Sequence, residues 1–125
     1  PLRRQRQMCI RDRHLTDEKE DIQSSLIFAA ALLARTSRIN VCFCVLPLPH
    51  YEIKLLIKQL EDIYRLSNGR IQIGFSQGAL KSDAEYLNFD HLKRGKIFEQ
   101  KLNLFNFEQP LSAQLISASF VLAPR

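Results

Sequence analysis

Residues 39–46 have the sequence INVCFCVL, and the fold prediction starts from this segment. The segment is almost continuously apolar, contains β-branched and aromatic residues, and is closed by Pro47 and Pro49. A short apolar run of this composition is typical of a buried strand in a parallel sheet. Because proline cannot continue a central ladder of hydrogen bonds, the strand must end there. The sequence therefore predicts a buried strand over residues 39–46, followed by a loop.

A helix is predicted on each side of this strand. Residues 17–36 begin with Asp17 and Glu20 in capping-box spacing and continue with apolar residues at helical intervals. Residues 52–66 carry apolar residues at the same intervals, and either Asn68 or Gly69 supplies the left-handed cap that ends the helix. The strand at 39–46 therefore lies between two helices, which is the alternation of an α/β fold.

The chain repeats this pattern beyond Gly69. Residues 70–75 predict a second strand, residues 81–90 form a polar connection, and residues 92–105 predict a third helix. Residues 117–122 are a weaker strand candidate. Strands alternating with helices are joined by right-handed crossovers into a parallel sheet. Since two central strands cannot close a barrel, we expect helix–strand–helix–strand–helix, an internal part of a larger fold.

The positive charge of the chain is concentrated at one end. The formal net charge is +5, but residues 1–13 contain five arginines and one acid, so the remainder is nearly neutral. A basic nucleic-acid-binding face is therefore not expected. Residues 7–12, with the sequence QMCIRD, resemble a translated sequencing adapter. We therefore predict that residues 1–13 are non-native and disordered, and that the natural domain spans residues 14–125.

Other common site types find little support in the sequence. The apolar run at 26–34 is too short to span a bilayer. The histidines, including His50 just after the first strand, lack metal-ligand spacing, so no metal site is predicted. Cys42 and Cys44 are too close in an extended strand to bridge each other, which favours a reducing, cytoplasmic setting.

An ordered set of short motifs runs from residue 36 to residue 78. These motifs are Ser37-Arg38-Ile39, Leu46-Pro47, Leu66-Ser67-Asn68-Gly69-Arg70 and the segment from Gly74 to Gly78. In order and spacing they resemble the bacterial luciferase-like flavin-dependent monooxygenases. Arg94-Gly95 with Glu99 resembles the start of the next helix in that family. The resemblance covers about residues 18–107.

The resemblance implies a TIM barrel that binds reduced FMN or a deazaflavin at the C-terminal ends of its strands. The strands at 39–46 and 70–75 would be the third and fourth, so residues 14–125 would be a partial (β/α)8 barrel of about units two to four. The implied activity is oxidation of a small organic substrate with O2 by an oxidoreductase, and a dimer is left open. The segment alone is expected to be inactive.

The resemblance also assigns cofactor-binding positions, although it identifies no catalytic residue. The assigned positions are Phe43, Cys44, Val45, Ser76, Gln77 and Arg94. Small residues of the family are replaced here by Cys42-Phe43-Cys44, and a non-prolyl cis peptide would fall at Cys44-Val45. These three side chains could equally be barrel filling.

Two alternatives to a flavin enzyme stay open. Gln77 stands where the family often has arginine, which favours a non-catalytic barrel relative, since a phosphate-attracting charge is lost. A small α/β interaction domain with an exposed apolar face is the other alternative. Arg70 and Glu99 are interpreted as structural, because an arginine that opens a strand often pairs with a carboxylate on a neighbouring helix.

Overall fold

The computed structural model describes residues 7–10, 22–107 and 119–121. The four helices in this part of the chain are α1 (Ser25–Ala34), α2 (Ile53–Leu66), α3 (Lys81–Tyr86) and α4 (Arg94–Phe107). The strands are β1 (Gln7–Ile10), β2 (Asn40–Pro47), β3 (Ile71–Ser76) and β4 (Ser119–Val121). Two single turns of 3-10 helix lie at Leu48–His50 and His91–Lys93.

The four strands form one sheet in the order β1-β2-β3-β4, and every neighbouring pair is parallel. An open doubly wound sheet reverses its strand order at a switch point, whereas a TIM barrel keeps sequential order. Right-handed crossovers between sequential parallel strands place all connecting helices on the same face. The predicted α/β class with parallel strands is confirmed, and the arrangement is that of a partial TIM barrel.

The core lies between the sheet and the helices. Alternate residues of β2 and β3 point to this layer and are almost completely buried: Val41, Phe43, Ile71, Ile73 and Phe75. They pack against apolar residues of α1, α2 and α4, among them Leu33, Leu60 and Phe105. We call the opposite side of the sheet the inner face, because strand alternation assigns Cys42 and Gln72 to it.

An extra residue in β2 changes this alternation near the end of the strand. Phe43 pairs with Ile73 and Leu46 with Phe75, so three steps along β2 match two along β3. The irregularity is a β-bulge, which bends the strand and re-aims its side chains. It returns Leu46 to the core, where it is completely buried, and leaves Cys44 and Val45 only half-buried. The Cys44–Val45 peptide bond is cis, at the position that the family resemblance implies.

Two helix predictions need correction. The first helix begins at Ser25 and not at 17, and its cap is Ser24, whose hydroxyl accepts a hydrogen bond from the Ile27 amide at 3.3 Å. The proposed cap at Asp17 lies outside the described residues. The connection predicted over 81–90 contains α3, a six-residue helix whose Asp83 and Ala84 are buried. Helix α3 is too short to show an apolar repeat in the sequence.

The first residues of the chain are also placed differently from the prediction. Gln7–Ile10 forms β1, which pairs in parallel with β2 from Asn40 to Phe43, so this part is not a disordered arm. Ile10 is buried in the core. The other residues of 1–13 lie outside the described part, and an adapter origin stays a prediction. The weak strand at 117–122 is confirmed as β4, Ser119–Val121.

Arg70 ties the first helix to the start of β3. Its guanidinium donates hydrogen bonds to the carbonyl oxygens of Leu33, Thr36 and Ile39 at 2.9–3.1 Å. A further bond from Nε reaches the Ser67 carbonyl at 2.8 Å. The predicted structural role is confirmed, but the partners are carbonyls left open at the end of α1 and nearby turns, not a carboxylate.

We expect replacement of Arg70 by methionine to lower the free energy of unfolding by about 2–4 kcal/mol, because several part-buried carbonyls lose a charged donor. Urea denaturation of the purified chain measures this. Arg65→Met is the matched control, since the exposed Arg65 pairs with the exposed Asp62 and its loss should change stability by less than about 1 kcal/mol. Equal effects of the two variants would contradict the assigned role.

Candidate functional site

The ends of β2 and β3 and the start of α4 meet at one edge of the sheet. Pro47 pairs with Ser76 at the last position of the two strands, so both strands end together. The carboxyl ends of parallel strands are where α/β barrels place their ligand sites. We call this region the C-terminal edge and define it by residues 44–50, 76–78 and 94–95.

The β2 side of the C-terminal edge is formed by Cys44 and Val45, which the bulge keeps away from the helix layer. Phe43, in contrast, is completely buried in the core between the sheet and the helices. Its assignment as a cofactor contact is therefore not supported by its position. Strand alternation explains the difference, because Phe43 and Cys44 point to opposite faces.

The β3 side of the edge is a tight turn. Ser76 accepts a hydrogen bond through its hydroxyl from the Gly78 amide at 3.4 Å, as serine commonly does in turns. Gly78 has a φ of +84°, a left-handed conformation that glycine adopts without steric cost. A Cβ at Gly78 would lie 3.4 Å from Pro47 Cβ and 3.5 Å from His50 Nε2. The turn after β3 thus lies directly against the residues that follow β2.

Gln77 and Arg94 are brought to the same place by the start of α4. A Cβ built on Gly95 would lie only 3.0 Å from Gln77 Oε1, so glycine permits this close approach. Arg94 donates through Nη1 to the His91 carbonyl at 3.0 Å. Its Nε is buried and has no hydrogen-bond partner among the residues that the structure describes. The structure therefore places Gln77 against the first turn of α4, which begins at Arg94.

A lysine on α4, which the sequence did not single out, holds the loop after β2. Lys101 Nζ donates to the carbonyl oxygens of Pro49, at 3.3 Å, and Tyr51. Burial lowers the pKa of Lys101, while the nearby carboxylate of Glu52 acts in the opposite direction. The sequence did not indicate this role of Lys101, because a lysine on an amphipathic helix is usually solvated.

His50 is half-buried and not a freely solvated loop residue. Its ring centroid lies 6.1 Å from that of Phe89, on the segment that follows α3. The loops after β2 and after α3 are therefore in contact across the C-terminal edge. Among the described residues, no group of three or more potential metal ligands occurs, and no helix is long and apolar enough to cross a membrane.

The described strands and helices have the parallel α/β arrangement found in TIM barrels, and the C-terminal edge is the candidate site. A family model described as luciferase-like monooxygenase matches residues 8–106. Because that match covers most of the chain, the protein belongs to the luciferase-like monooxygenase family. The match begins within the segment that was predicted to be non-native.

Individual relatives give the same picture. Limonene 1,2-monooxygenase from Rhodococcus erythropolis is 29% identical over 93 residues, which is 74% of this chain and 24% of that protein. The oxygenating constituent of 3,6-diketocamphane monooxygenase of Pseudomonas putida, a type II Baeyer-Villiger monooxygenase solved in complex with FMN, superposes with a TM-score of 0.73 at 18% identity. That superposition covers 80% of this chain and 28% of the other.

A monooxygenase from Streptomyces bottropensis superposes with a TM-score of 0.63 and 19% identity, over 66% of this chain and 25% of that one. At such identities the structural likeness concerns the fold. The chain spans about a quarter of the length of these relatives.

We expect Gly78→Ala to destabilise the chain by about 1–2 kcal/mol, since alanine is strained at positive φ. The added methyl group itself would lie at ordinary contact distance from Pro47 and His50. Gly78→Asn is the control, because asparagine tolerates this conformation and should cost less. Urea denaturation compares the two, and an alanine variant as stable as the unaltered chain would contradict the strained turn.

We expect Lys101→Met to lower the free energy of unfolding by about 1–2 kcal/mol near neutral pH, because two loop carbonyls lose their donor. The exposed Lys96 on the same helix supplies the control Lys96→Met, which should be nearly neutral.

The Lys101 contribution should also depend on pH. The folded state lowers the pKa of this lysine below its ordinary value of 10.5. Between the two values the unfolded chain binds more protons, so stability rises with pH in that window. Denaturation of the unaltered chain and of Lys101→Met should therefore show a stability difference that grows in favour of lysine towards pH 10.5. A difference that shrinks would contradict the burial of the ammonium group.

Proposed function

We propose that this chain is part of a flavin-dependent monooxygenase, an oxidoreductase that acts on a small organic substrate with O2. In this proposal the flavin lies at the C-terminal edge. Membership of the luciferase-like family supports the class of chemistry. The observation that carries the site is the buried Nε of Arg94, which has no acceptor among the described residues and lies one residue from the Gly95–Gln77 contact.

The residues at the edge fit the phosphate end of FMN. A buried guanidinium donor without an acceptor carries a desolvation cost that a phosphate oxygen would remove. Gln77 and Ser76 add neutral hydrogen-bonding groups, and Gly95 lets the Gln77 amide group approach the start of α4 closely. The amides of a helix start favour an anion. We therefore assign Arg94, Gln77 and Ser76 to the phosphate and Cys44 and Val45 to the ring system.

When bound, a reduced flavin supplies the electrons for oxygen activation, and the protein supplies binding and orientation. Arg94 would fix the charged end, while the bulge presents Cys44 and Val45 towards the inner face. Lys101 keeps the loop with His50 in place from the outer side of the barrel. The same proposal includes a small-molecule substrate and either FMN or a deazaflavin as the cofactor. It also includes a dimeric state and a cytoplasmic location.

A non-catalytic barrel relative is the second candidate, and one observation favours it. Gln77 is neutral, so the edge carries a single guanidinium where the family often has two. Assay of a longer protein containing this chain with NADH, a flavin reductase and a panel of aldehydes and sulfonates separates the two candidates. Substrate oxidation supports the enzyme, and flavin binding without turnover supports the relative.

The site is tested by titrating the chain with FMN and following amide NMR shifts. We expect a dissociation constant above about 1 μM, because this chain spans only about a quarter of the relatives' length. Shifts should be confined to residues 44–50, 76–78 and 94–95. Micromolar or tighter binding would contradict the proposed inactivity of the segment, and shifts elsewhere would contradict the site.

Arg94→Gln should weaken FMN binding about tenfold, as expected for loss of one charge-assisted contact. Riboflavin lacks the phosphate, so its binding should not change in this variant. Lys96→Gln removes the same charge from an exposed position on α4 and serves as the matched control. Equal losses for FMN and riboflavin, or equal effects of the two variants, would show that Arg94 does not hold a phosphate.

A further inference from the structure

Lys101 lies on the face of α4 that packs towards the sheet. Phe98, Lys101 and Phe105 follow one another at intervals of three and four residues, which places them on one side of the helix. Phe105 is buried and packs edge-on against Phe75, with ring centroids 4.9 Å apart, and Phe98 packs against the same core. An ammonium group on such a face loses hydration and needs hydrogen-bond acceptors in return.

The acceptors of Lys101 belong to the segment that follows β2, which we call the β2 turn (residues 47–51). Lys101 Nζ donates to the carbonyl oxygens of Pro49, at 3.3 Å, and of Tyr51. Within the β2 turn, the Tyr51 amide donates to the Leu48 carbonyl at 3.0 Å. The two prolines of the segment have no N–H group to contribute. The shape of the β2 turn therefore depends on the two hydrogen bonds that α4 supplies.

The β2 turn forms one wall of the proposed flavin site. Cys44 and Val45, which we assign to the ring system, lie just before it in the chain. His50, within the β2 turn, lies against the turn after β3, since a Cβ built on Gly78 would be 3.5 Å from His50 Nε2. A displacement of the β2 turn would therefore change the space that the ring system occupies.

We propose that Lys101 is a positioning residue for the ring system of the flavin. It acts through the β2 turn and not by contact with the ligand. The inference rests on the proposed function, because it requires that a flavin binds at the C-terminal edge. Arg94, two turns earlier on the same helix, is assigned to the phosphate. The two basic residues of α4 therefore act on opposite ends of FMN.

The test compares FMN with riboflavin, which has the same ring system and lacks the phosphate. Lys101→Met should weaken the binding of both ligands by the same factor, about fivefold, because the site is less well preorganised for the ring. Arg94→Gln should weaken the binding of FMN alone. NMR titration of the full 125-residue chain measures the dissociation constants. A loss confined to FMN in Lys101→Met would place its effect at the phosphate and overturn the proposal.

A second variant separates positioning from a general loss of stability. Arg70→Met is the matched control, because Arg70 lies at the start of β3 and bonds to carbonyls near the end of α1, away from the C-terminal edge. It should lose at least as much stability as Lys101→Met and still bind both flavins with unchanged affinity. All titrations are made under conditions in which circular dichroism shows each variant fully folded. An equal loss of affinity in Arg70→Met would reduce the role of Lys101 to stability and overturn the proposal.

The conservative variant Lys101→Arg tests whether hydrogen-bond donation is the property that matters. Arginine keeps the positive charge and several donors, so this variant should retain most of the affinity for both flavins. In the ligand-free chain, the amide NMR shifts of residues 48 and 50–52 should change more in Lys101→Met than in Lys101→Arg. Equal losses of affinity in the two variants would contradict positioning through the carbonyl oxygens.

The titrations also distinguish this inference from the function on which it rests. If the unaltered chain binds neither flavin, the proposed site fails, and the role of Lys101 fails with it. If the unaltered chain binds both flavins and Lys101→Met binds them equally well, the site stands and only the positioning role is overturned.

Discussion

The parallel pairing of β2 with β3 is the constraint on which the rest of the structure depends. Pairing in this register places five apolar side chains side by side on one face: Val41, Phe43, Ile71, Ile73 and Phe75. That face can leave water only if helices cover it, and right-handed crossovers bring α1, α2 and α4 to it. The alternate residues are thereby left for the inner face. The pairing of β2 with β3 thus separates the face that packs against the helices from the inner face, which is available for a ligand.

The bulge in β2 adapts this regular pairing to a ligand edge. Without the extra residue, Val45 would follow Phe43 onto the core face by simple alternation. With it, Leu46 enters the core, and Pro47 meets Ser76 at the common end of both strands. Apolar burial is therefore kept while the residues just before the strand end are released from the helix layer. Bulges are frequent beside functional sites for this reason.

The sequence could predict elements that show a local or periodic residue pattern. It could not predict contacts between residues that are far apart in the chain. The two central strands and α2 follow from apolar spacing and from proline and glycine stops. Arg70 was correctly interpreted as structural, but its acceptors are backbone carbonyls near the end of α1 and just after α2, which no residue pattern encodes. Helix α3 has too few residues for a period. Phe43 was assigned to the cofactor through the family resemblance, although alternation along the strand points it into the core.

The outer helix α4 contributes to the candidate site at two places. Its first residue, Arg94, supplies the buried donor at the edge, and Lys101, two turns further on, holds the loop after β2 by its carbonyl oxygens. Because α4 also packs Phe105 edge-on against Phe75, its position is set by the same core that fixes β3. The packing of the hydrophobic layer between the sheet and the helices therefore also determines where Arg94 and Lys101 lie. A ligand at the strand ends would contact side chains whose positions are set by packing on the opposite face of the sheet.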